Sequence, residues 1–118
     1  MKENIVRDKS FKFAIRIVNF YKYLTTKKEY IISKQLLRSG TSIGANIEEA
    51  LGGQTERDFV YKLSIAYKEA RETKYWIKLL KETNYINKTE FLSIYKDCNE
   101  LCKIIGKIKI TMKDKIYK

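Results

Sequence analysis

The sequence predicts an all-α protein, an antiparallel up-down four-helix bundle forming one domain over residues 1–118. Three observations carry that reading. The chain has no proline and only five glycines, so little in it breaks a helix. Apolar residues recur at three- and four-residue spacing through four long segments, which is the period of a helix face. The connections between those segments are short and polar, and short connections make consecutive helices antiparallel neighbours.

The first helix is expected over about 5–24, where Ala14, Ile17, Val18, Tyr21 and Leu24 share a face. Thr26 and Glu29 then have the spacing of a capping box, in which the hydroxyl takes a free backbone N–H and the carboxylate reaches back. That starts the second helix near Lys27 and carries it over about 27–51. Ile32, Leu36, Gly40, Ile43, Ile47, Ala50 and Leu51 form its apolar stripe. Gly40 and Gly44 lie among small hydroxyl residues, as in a loop that wraps a phosphate. Such a loop needs a preceding strand and a following Gly-Lys-Ser/Thr. The sequence has neither here, and the apolar period runs through both glycines unbroken. They read instead as points where another helix comes close, since each costs about 1 kcal/mol of helix propensity relative to Ala.

Gly52 or Gly53 is expected to end this helix in the left-handed conformation. Thr55 and Asp58 begin the third, over about 56–82, with a capping box in which Asp replaces the usual Glu. Phe59, Leu63, Ala66, Ala70, Thr73, Ile77 and Leu80 alternate by four and three, the pattern of a bundle seam. Asn87 and Glu90 cap the fourth helix, over about 88–112. Its line is Phe91, Ile94, Tyr95, Cys98, Leu101, Cys102, Ile105, Ile108 and Met112. The tail from Lys113 to Lys118 is expected to fray.

Composition narrows the function classes. No apolar run approaches the ~20 residues that cross a bilayer, and the N-terminal ten residues hold no apolar signal core. The expectation is a cytoplasmic protein without a membrane partner. The two cysteines are too few for a disulfide framework. Both fall on the core line of the fourth helix, so buried thiols are expected and no structural zinc. The chain has no histidine, which removes the commonest general base and any Ser-His or Cys-His nucleophile. Glu48, Glu49, Glu56 and Asp58 gather around the second turn, where carboxylates hold metals, perform acid–base work, or simply cap helices. The expectation is no enzyme, no catalytic residue, no metal and no cofactor.

Lys and Arg number 25 against 14 Asp and Glu, a net charge of +11. Such an excess suits RNA, DNA, an acidic protein or an anionic surface, and also plain solubility. The candidate nucleic-acid residues are Lys68, Arg71, Lys74, Lys78 and Lys81 on one side of helix three, with Lys103 and Lys107 on helix four. Lys109, Lys113, Lys115 and Lys118 extend the basic run. Tyr67 and Tyr75 interleave with these cations and suit base stacking. The other edge of helix three carries Asp58, Glu69 and Glu72. One acidic and one basic flank allow head-to-tail pairing of copies, which closes into rings. On helix two, Arg38, Ser42, Asn46 and Glu49 form a second, polar stripe. Small and amide-bearing residues there point to contact with another helix, from this chain or another subunit, rather than with solvent.

The run from Ser33 to Ile86, centred on Gln35-Leu36-Leu37-Arg38-Ser39-Gly40-Thr41-Ser42-Ile43-Gly44-Ala45-Asn46-Ile47-Glu48-Glu49, resembles the 23S rRNA intervening sequence proteins, once called S23 ribosomal proteins. The likeness covers about Phe11 to Ile86. The family signature falls on Gln35, Leu36, Arg38, Ser42, Ile43, Asn46, Ile47 and Glu49, and the stretch Ala66–Trp76 is also similar. Many members carry a proline before the second helix, where this chain has Thr25-Thr26-Lys27-Lys28-Glu29. The resemblance implies a four-helix bundle assembled as a ring-shaped homo-oligomer, commonly a pentamer, with no enzyme activity. A more distant resemblance, to the accessory protein of diversity-generating retroelements, implies nucleic-acid and reverse-transcriptase binding. The expected function is therefore a non-enzymatic, RNA-binding homo-oligomer. The alternative is an oligomeric scaffold for a protein partner, such as a reverse transcriptase or a ribosome-associated factor.

Overall fold

The computed structural model describes residues 2–117, and Lys118 lies outside that range. It contains α1 (Lys2–Thr26), α2 (Ile32–Leu51), α3 (Glu56–Glu82) and α4 (Lys88–Tyr117). The described residues form no strand. Each helix packs on the next in the chain, and α4 returns to touch α1. The body measures 48 × 21 × 21 Å. A 30-residue helix is about 45 Å long, so α4 runs almost its full length.

The expected boundaries of α3 match the structure. Its cap does too: the Thr55 hydroxyl accepts the Asp58 N–H at 3.0 Å. Asn87 and Glu90 make the full reciprocal box, each backbone N–H donating to the other's side-chain oxygen at 2.8 Å.

The first turn departs from expectation. Thr26 belongs to α1, where its hydroxyl donates to the Tyr23 carbonyl at 2.5 Å. The chain then turns through Lys28 at φ 63°, and α2 begins at Ile32 rather than near Lys27. Glu29 does cap α2, without Thr26. Its carboxylate accepts the N–H groups of Ile31, Ile32 and Ser33 at 3.1, 2.8 and 2.6 Å. One acidic side chain thus satisfies donors that every helix start leaves free. At the other end of α2, Gly52 has φ −89° and no glycine is left-handed. The exit is made instead by the Gly52 and Gly53 N–H groups donating to the Glu48 and Ala50 carbonyls. The tail is helical to Tyr117. Lys115 meets Glu56 at 2.9 Å, and Arg57 lies 5.3 Å from the Tyr117 ring centre, so the start of α3 holds the end of α4.

The core follows the stripes with small rotations. Ile17, Leu36, Ile43, Ile77, Leu80, Ile94 and Ile105 are fully buried. On α1 the buried line is Val6, Ser10, Phe13, Ile17 and Leu24; Ala14, Val18 and Tyr21 are only half-buried. On α3 Val60 is buried where Phe59 was expected, and Leu51 of α2 is exposed. Gly40 and Gly44 face α1 as close-approach points. A Cβ on Gly40 would stand 2.8 Å from Ile17 Cγ1, and one on Gly44 3.3 Å from the Ser10 carbonyl oxygen.

Candidate nucleic-acid interface

The polar stripe of α2 meets α3 of the same chain at its two ends, through Arg38 and Glu49, while Ser42 and Asn46 bond within α2. Arg38 donates through Nη1 to Glu69 at 3.2 Å and through Nη2 to Glu72, and its Nε reaches Gln35 Oε1 at 3.5 Å. Glu72 also accepts the Trp76 indole N–H at 2.9 Å. Ser42 donates to the Arg38 carbonyl at 2.6 Å, and Asn46 to the Ser42 carbonyl at 2.8 Å. Lys62 of α3 closes the row on Glu49 at 3.0 Å. Beneath it, the Ser39 and Thr73 hydroxyls meet at 2.9 Å in the buried interior. Of the acidic edge of α3 that suggested pairing between copies, Glu69 and Glu72 are thus held from within by Arg38, while Asp58 joins no ion pair among the described residues.

The four carboxylates near the second turn do not converge. Glu48 pairs with Arg7, Glu49 with Lys62 and Glu56 with Lys115. Among the described residues, no three metal-ligating side chains come together. Cys98 and Cys102 are buried free thiols. Burial, with Cys102 alongside, pushes the Cys98 thiol up to about 12, so it stays protonated and donates to the Ala70 carbonyl at 3.4 Å.

The basic residues of α3 and α4 form the opposite case. Lys68, Arg71, Lys78, Lys103 and Lys107 are exposed, while Lys74, Lys81 and Lys109 are half-buried. None of them joins an ion pair found among the described residues. Their contacts are neutral. Lys74 donates to Asn99 Oδ1 at 3.4 Å. Lys78 lies 5.6 Å from the Tyr95 ring centre, and Lys109 lies 4.9 Å from that of Tyr67. Burial holds Lys109 below lysine's ordinary value, and the charges of Lys113 and Lys68 add to the effect. Among the described residues, no carboxylate pairs with these cations.

The two candidate stacking rings differ. Tyr75 is 58% exposed, edge-on to Trp76 at 5.0 Å. Tyr67 is half-buried between α3 and α4, its ring edge against Gly106. Gly106 is not among the residues that the sequence analysis names. The signal was present: an isolated glycine inside a helical pattern usually has a packing or functional reason.

A family model described as 23S rRNA-intervening sequence protein matches residues 2–107. The chain is also similar to a crystal structure from Bacteroides thetaiotaomicron, a protein of unknown function from the S23 ribosomal protein family. The two share 54% identity and a TM-score of 0.91, over 92% of this chain and 98% of that one. No curated protein matches. No helix among the described residues is long and apolar enough to cross a membrane.

Proposed function

The chain belongs to the 23S rRNA-intervening sequence protein family, and from that premise we propose a non-enzymatic, cytoplasmic, RNA-binding homo-oligomer. One observation carries the reading. Among the described residues, the cations from Lys68 to Lys81 on α3, with Lys103 and Lys107 on α4, join no ion pair, whereas Arg7, Lys9, Arg16, Arg38, Lys62 and Lys115 do. Uncompensated cations on one face attract a polyanion and release its counterions on binding. The bundle is taken as up-down and antiparallel. In support, residues 7, 10 and 17 of α1 meet 48, 44 and 40 of α2, in reversed order. A ring, with a pentamer expected from the resemblance, would multiply modest sites into useful avidity. Support for self-association comes from α1, where Ile5, Phe11 and Ile15 are 49%, 66% and 48% exposed.

The test is fluorescence anisotropy of a labelled structured RNA with nuclease-treated protein at two salt concentrations. Wild type is expected to bind at micromolar or tighter, more weakly at high salt. Lys74→Glu with Lys78→Glu and Lys81→Glu is expected to lose about tenfold or more in affinity and to flatten the salt slope. No binding by wild type at low salt would remove the RNA reading and leave the basic face to solubility or to an acidic protein partner.

A further inference from the structure

Gly106 sits deep inside α4, well away from either end. Its φ is not positive, so the backbone there does not require glycine. What it does provide is room for a neighbour: a Cβ at this position would stand 3.3 Å from Tyr67 Cε2, closer than side chains normally pack, so the missing side chain lets the Tyr67 ring edge come close. Gly106 and Tyr67 together line a shallow groove of ≈ 480 Å³ along α4, within the range of roughly 300–1,000 Å³ typical of ligand sites. Tyr67, Ile104, Gly106 and Ile110 form its apolar part, and Lys103 and Lys107 flank it. Ile110 is 64% exposed, a large apolar surface among cations. Glu100 also borders the groove, but its carboxylate is bound by Lys9 at 2.5 Å.

We propose that this groove is a nucleobase subsite. One unpaired base of a bound RNA lies against Ile110 and Gly106 with the exposed edge of Tyr67 beside it, while the flanking phosphates meet Lys103 and Lys107. The assignment rests on the RNA reading above and specifies it: the preferred ligand is single-stranded. Bases in a duplex have their faces covered by their neighbours, whereas unpaired bases splay out and stack on aromatic side chains. The combination fits a nucleotide, with an apolar floor for the ring and cations at phosphate positions. Lys109, crowded by Lys113 and Lys68 beside Tyr67, gains a counter-charge when the strand binds.

The test uses a labelled single-stranded RNA 12-mer, the same 12-mer with its bases removed, and a 12-base-pair RNA duplex. Wild type is expected to bind the intact strand about tenfold more tightly than the abasic one, the scale of one stacked base. Gly106→Leu fills the groove without changing charge, and should abolish that preference while leaving duplex affinity unchanged. Ile110→Ala, at an exposed position, should reduce the same preference without endangering the fold. Lys103→Ala with Lys107→Ala should weaken all three ligands. If both groove variants keep the wild-type preference, the subsite is wrong although RNA binding stands. If wild type binds none of the three, both readings fall. Equal affinity of wild type for the intact and abasic strands also overturns the subsite, leaving phosphate contacts alone.

Discussion

Gly40, inside α2, and Gly52, just past its end, show how differently two glycines behave. At Gly40 an added methyl would stand 2.8 Å from the fully buried side chain of Ile17, so something must shift. Overpacking of that kind costs about 1–3 kcal/mol, against about 1 kcal/mol gained in helix propensity. Gly40→Ala should therefore lower stability by about 1–2 kcal/mol in urea denaturation. At Gly52 the nearest atom to an added Cβ is the Glu48 carbonyl oxygen at 3.7 Å, an ordinary contact. Gly52→Ala should stay within about 0.5 kcal/mol of wild type. Equal effects at the two sites would mean that α1 and α2 do not approach as closely as Ile17 and Gly40 indicate.

Among the elements, the start of α2 depends on a single side chain. Glu29 is only 6% exposed. Burial by itself pushes its carboxyl up, but the amides of Ile32, Ser33 and Ile31 outweigh burial and bring it below the ordinary 4.5. A carboxyl that is more acidic folded than unfolded contributes fully above its ordinary value. That contribution is lost as pH falls through the folded value. Glu29→Ala should therefore cost about 1–2 kcal/mol near neutral pH, the scale of a lost cap. The gap to wild type should narrow as pH drops below 4.5. Urea melts of both proteins across that range provide the check; a gap that stays constant with pH would mean that the charge does not matter.

For the whole molecule, self-association depends on which surface remains open. Arg38 already occupies Glu69 and Glu72, so pairing of the two edges of α3 between copies is left with Asp58 alone of its three carboxylates. The exposed apolar residues Phe11 and Ile15 of α1 lie one turn apart on the outside of the bundle. Wild type is expected to sediment as a defined oligomer at micromolar concentration. Phe11→Glu with Ile15→Glu should sediment as a monomer with unchanged helical circular dichroism. A monomeric wild type would remove the ring and the avidity it supplies.

By itself, the sequence determined the number of helices, most of their boundaries and which residues are basic. Those are local properties. Apolar spacing over a few turns marks a helix, and boxes such as Asn87–Glu90 mark its start. The lysine faces of α3 and α4 were legible for the same reason, since helical spacing alone puts Lys74, Lys78 and Lys81 side by side. Tertiary structure decided what each face meets. An apolar stripe on a helix is at least ~100° wide, so its centre is open by a residue step until neighbours close on it. That is why Val60 rather than Phe59 is buried, and why Val6, Ser10 and Phe13 define the inside of α1. It is also why Arg38 proved to be a strap onto α3, Glu29 a cap without Thr26, and Gly106 the floor of a groove. Each depends on the rotation and axial offset between segments distant in sequence, which only packing of the four helices into a common core fixes.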